Sequence, residues 1–255
     1  MLRNYLRIPL RNFSRQPGYT LLNILGLTIG ITATLLILLY ITHELRFDRY
    51  HQKADRIYRI SSDIREPDDA FRWAVTQFPL AMQLKADYPE VEEYVRFIPN
   101  GRTQLAHTKG DQERSFFEEK VFLVDSTVCD VFSFNFLKGD PPQALREPNS
   151  IALSQSAAER IFGQDNALGE TLTSNSGRAY QVTGVYEDMP EHSHLIAHAM
   201  ISSNSFPEFR NPDPRSWGGF GIYTYVLLKE GAEASSFAAK LPEVIEKFVA
   251  VIFDE

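Results

Sequence analysis

Four arginines, Arg3, Arg7, Arg11 and Arg15, recur at every fourth position of an acid-free N-terminal stretch, beside an apolar stripe of Leu2, Leu6, Leu10 and Phe13. Basic groups next to an apolar stripe make a helix that can lie on anionic lipid headgroups, here an elbow over residues 1–18. Pro9 kinks such a helix or starts a second short turn. A plainer reading treats the same arginines only as charges that retain the N-terminus on one side of a membrane. Farther on, Gly26 and Gly30 form a G-x-x-x-G, whose bare backbone lets a second helix approach closely in lipid.

No set of residues assembles into a catalytic pattern. His192, His194 and His198 in EHSHLIAH are spaced so that imidazoles could meet a metal. Two of them follow a Pro turn, however, and no carboxylate or cysteine stands at a convincing fourth position. Ser154 and Glu159 lack a nucleophile-elbow context and read as a helix cap and a helix surface. Tyr223 and Tyr225 share one face of a strand and read as core packing rather than ligand stacking. Gly163, Gly169 and Gly184 read as turns or close backbone approaches. The sequence holds no G-x-x-x-x-G-K-S/T, so it carries no P-loop for ATP. The expectation is a chain that is not an enzyme, with no cofactor and no metal.

Length decides what the glycine pair belongs to. The uncharged run from Gln16 to Thr42 contains Tyr19 to Ile41, enough for the roughly 20 residues that span a bilayer core. A secretory signal has a shorter apolar region, about 7 to 15 residues, and a small-x-small cleavage site. This run exits through YITHELRF instead, so residues 19–42 read as a transmembrane helix. Basic residues flank both ends nearly equally, and their count alone does not orient the span. Short cationic tails are retained more readily than long folded domains, which favours a cytoplasmic N-terminus. Taking the four N-terminal arginines out of the net charge of −7 leaves −11 on the remainder. Such an acidic domain has no basic patch for nucleic acid. The single Cys129 excludes an internal disulfide framework.

Past the membrane, Ile57–Ile64 reads as a strand, and TQFPLAMQLKADYP as a helix with Pro79 near its start and Pro89 at its stop. Val91–Ile98 reads as the returning strand, which makes a β-α-β unit. SFFEEKVFLV is then a strand, and DSTVCDVFSF a short helix with Asp125 as its cap. SQSAAERIFG is a helix running from Ser154 to a left-handed Gly163, and AYQVTGVYEDMP is a strand. IYTYVLLKEG is apolar on both faces like a central strand. A last helix carries Leu241, Ile245, Phe248, Val249 and Ile252 on one stripe. The fold class is therefore α+β, with one N-terminal transmembrane helix followed by a two-lobed extracytoplasmic domain over 43–255. Segments 43–124 and 216–255 form a membrane-proximal split β-α-β lobe, and 125–215 an inserted, mostly-β lobe. A split β-α-β fold wants one more strand after the last helix, so the sequence reads as a piece of a longer chain.

Residues 10–60, with SIALSQSAAERIFGQDNALGETL, YQVTGVYEDMPEHSHL and YTYVLLKEGAEA in that order, resemble the MacB/FtsX-like permeases of ABC transporters and their MacB-like periplasmic core domain. The resemblance implies a two-lobed core domain beside the membrane and an ATP-binding subunit as partner. It also implies a permease homo- or heterodimer, with a periplasmic adaptor protein as a further candidate partner. On that reading Arg3, Arg7, Arg11 and Arg15 form a coupling helix on the inner leaflet, touching membrane lipids, and Gly26 and Gly30 pack against another helix. The implied place is the bacterial inner membrane, with the main domain periplasmic or extracellular. The implied role is transmission of ATPase-driven motion for efflux or export. The rival reading is a single-span sensor or adaptor with no transport role.

Overall fold

The computed structural model describes residues 17–45, 49–66, 69–190, 193–210, 217, 219–244 and 246–247. Arg3, Arg7, Pro9, Arg11, Arg15, His192, Ile245, Phe248, Val249 and Ile252 lie outside them. The chain divides into two compact units, Met1–Phe47 and Asp48–Glu255.

In the first unit, helix α1 covers Pro17–Leu45. Pro17 opens it, a place where the missing N–H costs nothing. Leu21, Leu27, Leu35 and Leu39 are all more than half exposed, and residues on every side of the helix are apolar. Pro17–Thr42 is long and apolar enough to cross a membrane, and none of it is buried within the protein. Two of its threonine hydroxyls turn inward: Thr34 Oγ1 donates to the Gly30 carbonyl at 2.8 Å and Thr42 Oγ1 to the Leu39 carbonyl at 2.9 Å. Such back-bonding satisfies polar groups in a medium without water.

The second unit is sheet-rich. It begins with β1 (Ile57–Ile60), β2 (Ser62–Glu66), β3 (Asp69–Trp73), β4 (Thr76–Gln77), α2 (Leu80–Asp87), β5 (Val91–Lys109) and β6 (Gln112–Val124). There follow α3 (Val128–Val131), β7 (Phe136–Gly139), β8 (Ser150–Ser154), α4 (Gln155–Phe162), β9 (Thr171–Ser174), β10 (Ala179–Tyr186) and β11 (Ala199–Ser202). The described part closes with α5 (Pro207–Arg210), β12 (Phe220–Leu228), α6 (Ala234–Ala238) and α7 (Leu241–Val244). One sheet runs in the order β1-β12-β5-β6-β11-β8-β10-β7. Antiparallel β12 lies between β1 and β5, which are joined through α2, so a split β-α-β arrangement is present.

β12 is buried on both faces, as its sequence implies: Tyr225 and Leu227 enter one core cluster, Val226 and Leu228 another. The second cluster also takes Leu80 and Leu84 from α2, Phe237 from α6 and Val244 from α7. Beyond this region, β5, β6, β11, β8, β10 and β9 pair successively, and β9 pairs back to β5. The six strands thus form a closed ring, filled by Leu105, Leu153, Leu172, Val182 and Ile201 with Ile161 and Phe162 of α4. The strands of 150–202 therefore share one sheet with β5 and β6.

Three local expectations need correction. Ile57–Ile64 is two strands: β1 joins the main sheet and β2 turns away into a hairpin with β3. The strand expected over Val91–Ile98 runs 19 residues, to Lys109, across register shifts at Pro99, Gly101 and Thr103. A proline and a glycine in mid-strand hid that continuation, because both usually end or bulge a strand. Asp125 does not cap α3; Thr127 stands at its N-cap without a side-chain bond, and the Asp125 carboxylate is engaged by Arg96 instead. The last helix is helical where it is described, over Leu241–Val244, and a separate short helix, α6, precedes it. By contrast Ser154 does cap α4, its Oγ accepting from the Ala157 N–H at 3.3 Å. Gly163 ends α4 at φ 65° but with ψ −121°, outside the left-handed helical well.

Gly139 and Gly184 face each other across β7 and β10. At Gly139, φ is +91° and a Cβ would sit 2.4 Å from the Thr183 carbonyl oxygen, a backbone atom that cannot swing aside. Gly139→Ala is therefore expected to destabilise the domain by about 2 to 4 kcal/mol, read as a lowered denaturation midpoint.

Candidate functional site

Gly26 and Gly30 stand one helical turn apart on α1, with no other atoms within 4 Å of where a Cβ would be. The bare backbone is therefore an open groove on a surface that faces apolar surroundings. Polar chemistry is concentrated elsewhere, inside the second unit.

Arg96 belongs to β5 and interrupts the apolar run of Val95 and Phe97. Arg96 is 2% exposed and Asp125 7%. The guanidinium grips the carboxylate with both arms, Nη2 to Oδ1 at 2.8 Å and Nε to Oδ2 at 2.8 Å. The Arg96 backbone N–H donates to Oδ2 at 2.9 Å, and Ser203 Oγ donates to Oδ1 at 3.0 Å. The remaining arms donate to the Phe78 and Phe209 carbonyls, each at 3.3 Å. The guanidinium also lies 4.5 Å from the centre of the Phe78 ring, which stacks on Phe209. One ion pair thereby ties β5, the β6–α3 corner, the entry to α2, the turn after β11 and α5.

A second buried carboxylate, Glu118 of β6, is 1% exposed. Arg160 of α4 grips it at 3.0 and 2.7 Å, and His198 Nδ1 lies 3.3 Å away. The hydrogen bond to Glu118 raises the Arg160 guanidinium above its ordinary value. The pair fastens α4 to the ring. His194 Nε2 instead meets the Tyr225 hydroxyl at 2.5 Å. His194 and His198 thus serve different partners, and among the described residues no group of three or more His, Cys, Asp or Glu side chains could hold a metal. Glu159 accepts from Gln155 on the exposed side of α4. Burial, followed by the charges of Asp130 and Asp140, pushes the Cys129 thiol up to about 12.

Neither buried carboxylate pair was expected from the sequence. Its only signal was a charge set inside an apolar strand, as in YVRFI, where a partner must exist for burial to be tolerable. The partner's identity is not encoded locally, since Asp125 is 29 residues away.

A helix suited to a bilayer, followed by a domain with a large sheet and a closed strand ring, defines a membrane-anchored protein with a sheet-rich module. The model of the MacB-like periplasmic core domain matches residues 20–244, and the chain belongs to that family, the domain family of MacB/FtsX-like permeases. A domain described as part of a permease protein of Porphyromonas gingivalis superposes with a TM-score of 0.63 at 24% identity, over 78% of this chain and 84% of that one. The periplasmic region of MacB from Actinobacillus actinomycetemcomitans superposes at 0.50 and 16% identity, over 68% and 73%. These likenesses establish the fold. No curated protein matches the sequence.

Asp125→Asn leaves Arg96 buried without its counter-charge and is expected to cost about 3 to 5 kcal/mol, whereas replacing both residues by apolar ones costs less than the sum. A double-mutant cycle in denaturant checks it. With its thiol near 12, Cys129 is expected to alkylate at pH 8 on the order of a thousand-fold slower than a free cysteine, measured by mass spectrometry of iodoacetamide-treated native protein.

Proposed function

We propose that this chain is a permease subunit of a MacB/FtsX-type ABC transporter, coupling ATPase-driven motion to an extracytoplasmic domain for efflux or export. The observation that carries this reading is the extent of the family match. It begins at residue 20, inside α1, and ends at residue 244, in the last described helix. The membrane helix and the outer domain are thus one family unit.

On this reading the N-terminus is cytoplasmic and the outer domain periplasmic or extracellular. Arg3, Arg7, Arg11 and Arg15 rest on the inner leaflet, held by lipid phosphates. ATP binding on a separate subunit closes a permease dimer, and α1 carries that displacement across the bilayer. Gly26 and Gly30 form the contact where a neighbouring helix approaches. Cargo moves on the outer side, because one helix cannot enclose a pore. Outside the membrane, the Arg96 ion pair keeps the strands of the sheet from shearing, so that displacement is passed on rather than absorbed.

The test is purification of the tagged full-length protein from its native membranes, with partners identified by mass spectrometry. A P-loop ATPase retained at constant stoichiometry is expected. Arg7→Glu with Arg11→Glu is expected to reduce that retention several-fold, and Gly26→Leu with Gly30→Leu to weaken association between permeases. Purification without any P-loop ATPase would overturn the transport reading and favour a single-span sensor or adaptor.

A further inference from the structure

An open cleft of about 330 Å³ lies on the sheet face bearing Tyr225, away from the cluster under α2. That volume falls at the small end of ligand pockets, about 300 to 1,000 Å³. Its apolar lining combines the rings of Phe122 of β6 and Tyr223 and Tyr225 of β12 with Ala74, Leu195 and Ile196. The Phe122 and Tyr223 rings stand 6.4 Å apart between centres. Tyr225 is 1% exposed and belongs to the core, whereas Tyr223 is half-buried and presents ring surface to the cleft.

The polar lining is cationic. Arg59 of β1 and Lys120 of β6, both exposed, come to the cleft together with His194. No carboxylate lines it. In a protein with net charge −7 this is unusual. Lys85, Lys109, Lys240 and Lys247 each hold a carboxylate. Among the described residues neither Arg59 nor Lys120 has one within ion-pair distance. Two cations left without counter-charge beside an aromatic surface form a complementary site for a ligand with both characters.

We propose that this cleft binds a small amphipathic anion, with its carboxylate, sulfonate or phosphate head held by Arg59 and Lys120 and its apolar body against Phe122 and Tyr223. Strands carry both cations and the rings: Arg59 on β1 is the cross-strand partner of Tyr225, and Lys120 stands two residues before Phe122 on β6. The binding does not depend on a transport role.

The test uses the full-length protein in phosphatidylcholine nanodiscs, titrated with 4-phenylbutyrate by calorimetry, with 4-phenylbutanol as the neutral isostere. The acid is expected to bind and the alcohol to bind at least about tenfold more weakly, the value of losing charge-assisted hydrogen bonds. Arg59→Gln with Lys120→Gln is expected to remove the difference between acid and alcohol, and Lys120→Arg to retain it. Both positions are exposed, and an unchanged melting profile confirms that the variants fold. Repeating the titration in phosphatidylglycerol nanodiscs distinguishes the ligand's source. Suppressed binding means that a lipid headgroup occupies the cleft, and unchanged binding means a soluble anion. Equal affinity for acid and alcohol, or binding unaltered in the double variant, would overturn the proposal.

Discussion

Burying Arg96 and Asp125 takes two full charges out of water, and only a near-ideal mutual geometry makes that tolerable. The pair meets the condition: the carboxylate accepts from both guanidinium arms, a backbone N–H and Ser203. The consequence reaches far along the chain. The end of β6 is held against β5, the turn after β11 is drawn to the same point, and α2 is anchored through the Phe78 carbonyl. None of these segments can shift far without leaving a buried charge short of a partner. Hydrophobic packing is tolerant of small slips, whereas this arrangement is directional and therefore selects one register.

The two units obey opposite solvent rules. In α1, leucines and isoleucines are exposed and the Thr34 and Thr42 hydroxyls fold back on the helix. In the sheet-rich unit most leucines are buried, Leu137 and Leu168 being exposed, and buried hydroxyls find partners across strands, as Thr76 does with Thr224 at 2.7 Å. The same principle, that a polar group in a dry place is costly unless it finds a partner, produces both patterns.

Much of this was legible in the sequence because it is local. The span follows from an uncharged run, Ser154 and α4 from a cap followed by an amphipathic turn, and β12 from a strand apolar on both faces. What escaped is non-local. The length of β5 was hidden by Pro99 and Gly101, which the strand absorbs as irregularities in register. Asp125 looked like a cap because Asp before a short helix usually is one, yet the stronger demand of Arg96 took its carboxylate. The closed ring depends on β9 meeting β5 at Leu105 and Ala106, a contact that no local pattern announces. The cationic cleft is of the same kind, since Arg59 and Lys120 are 61 residues apart in the chain.

One pairing bears on how the domain comes into being. β1 is the first strand of the second unit in chain order, and its partner in the sheet is β12, the last strand among the described residues. At a synthesis rate of about 5 to 20 residues per second, β1 waits roughly 10 to 30 s for that partner to emerge. During that interval Ile57 and Ile60 have no sheet to enter, and the strand edge is available to any extended segment nearby. Completion of this domain is therefore tied to the emergence of β12. A chain stalled before β12 would leave β1 as an unpaired strand edge, open to surveillance proteases and chaperones.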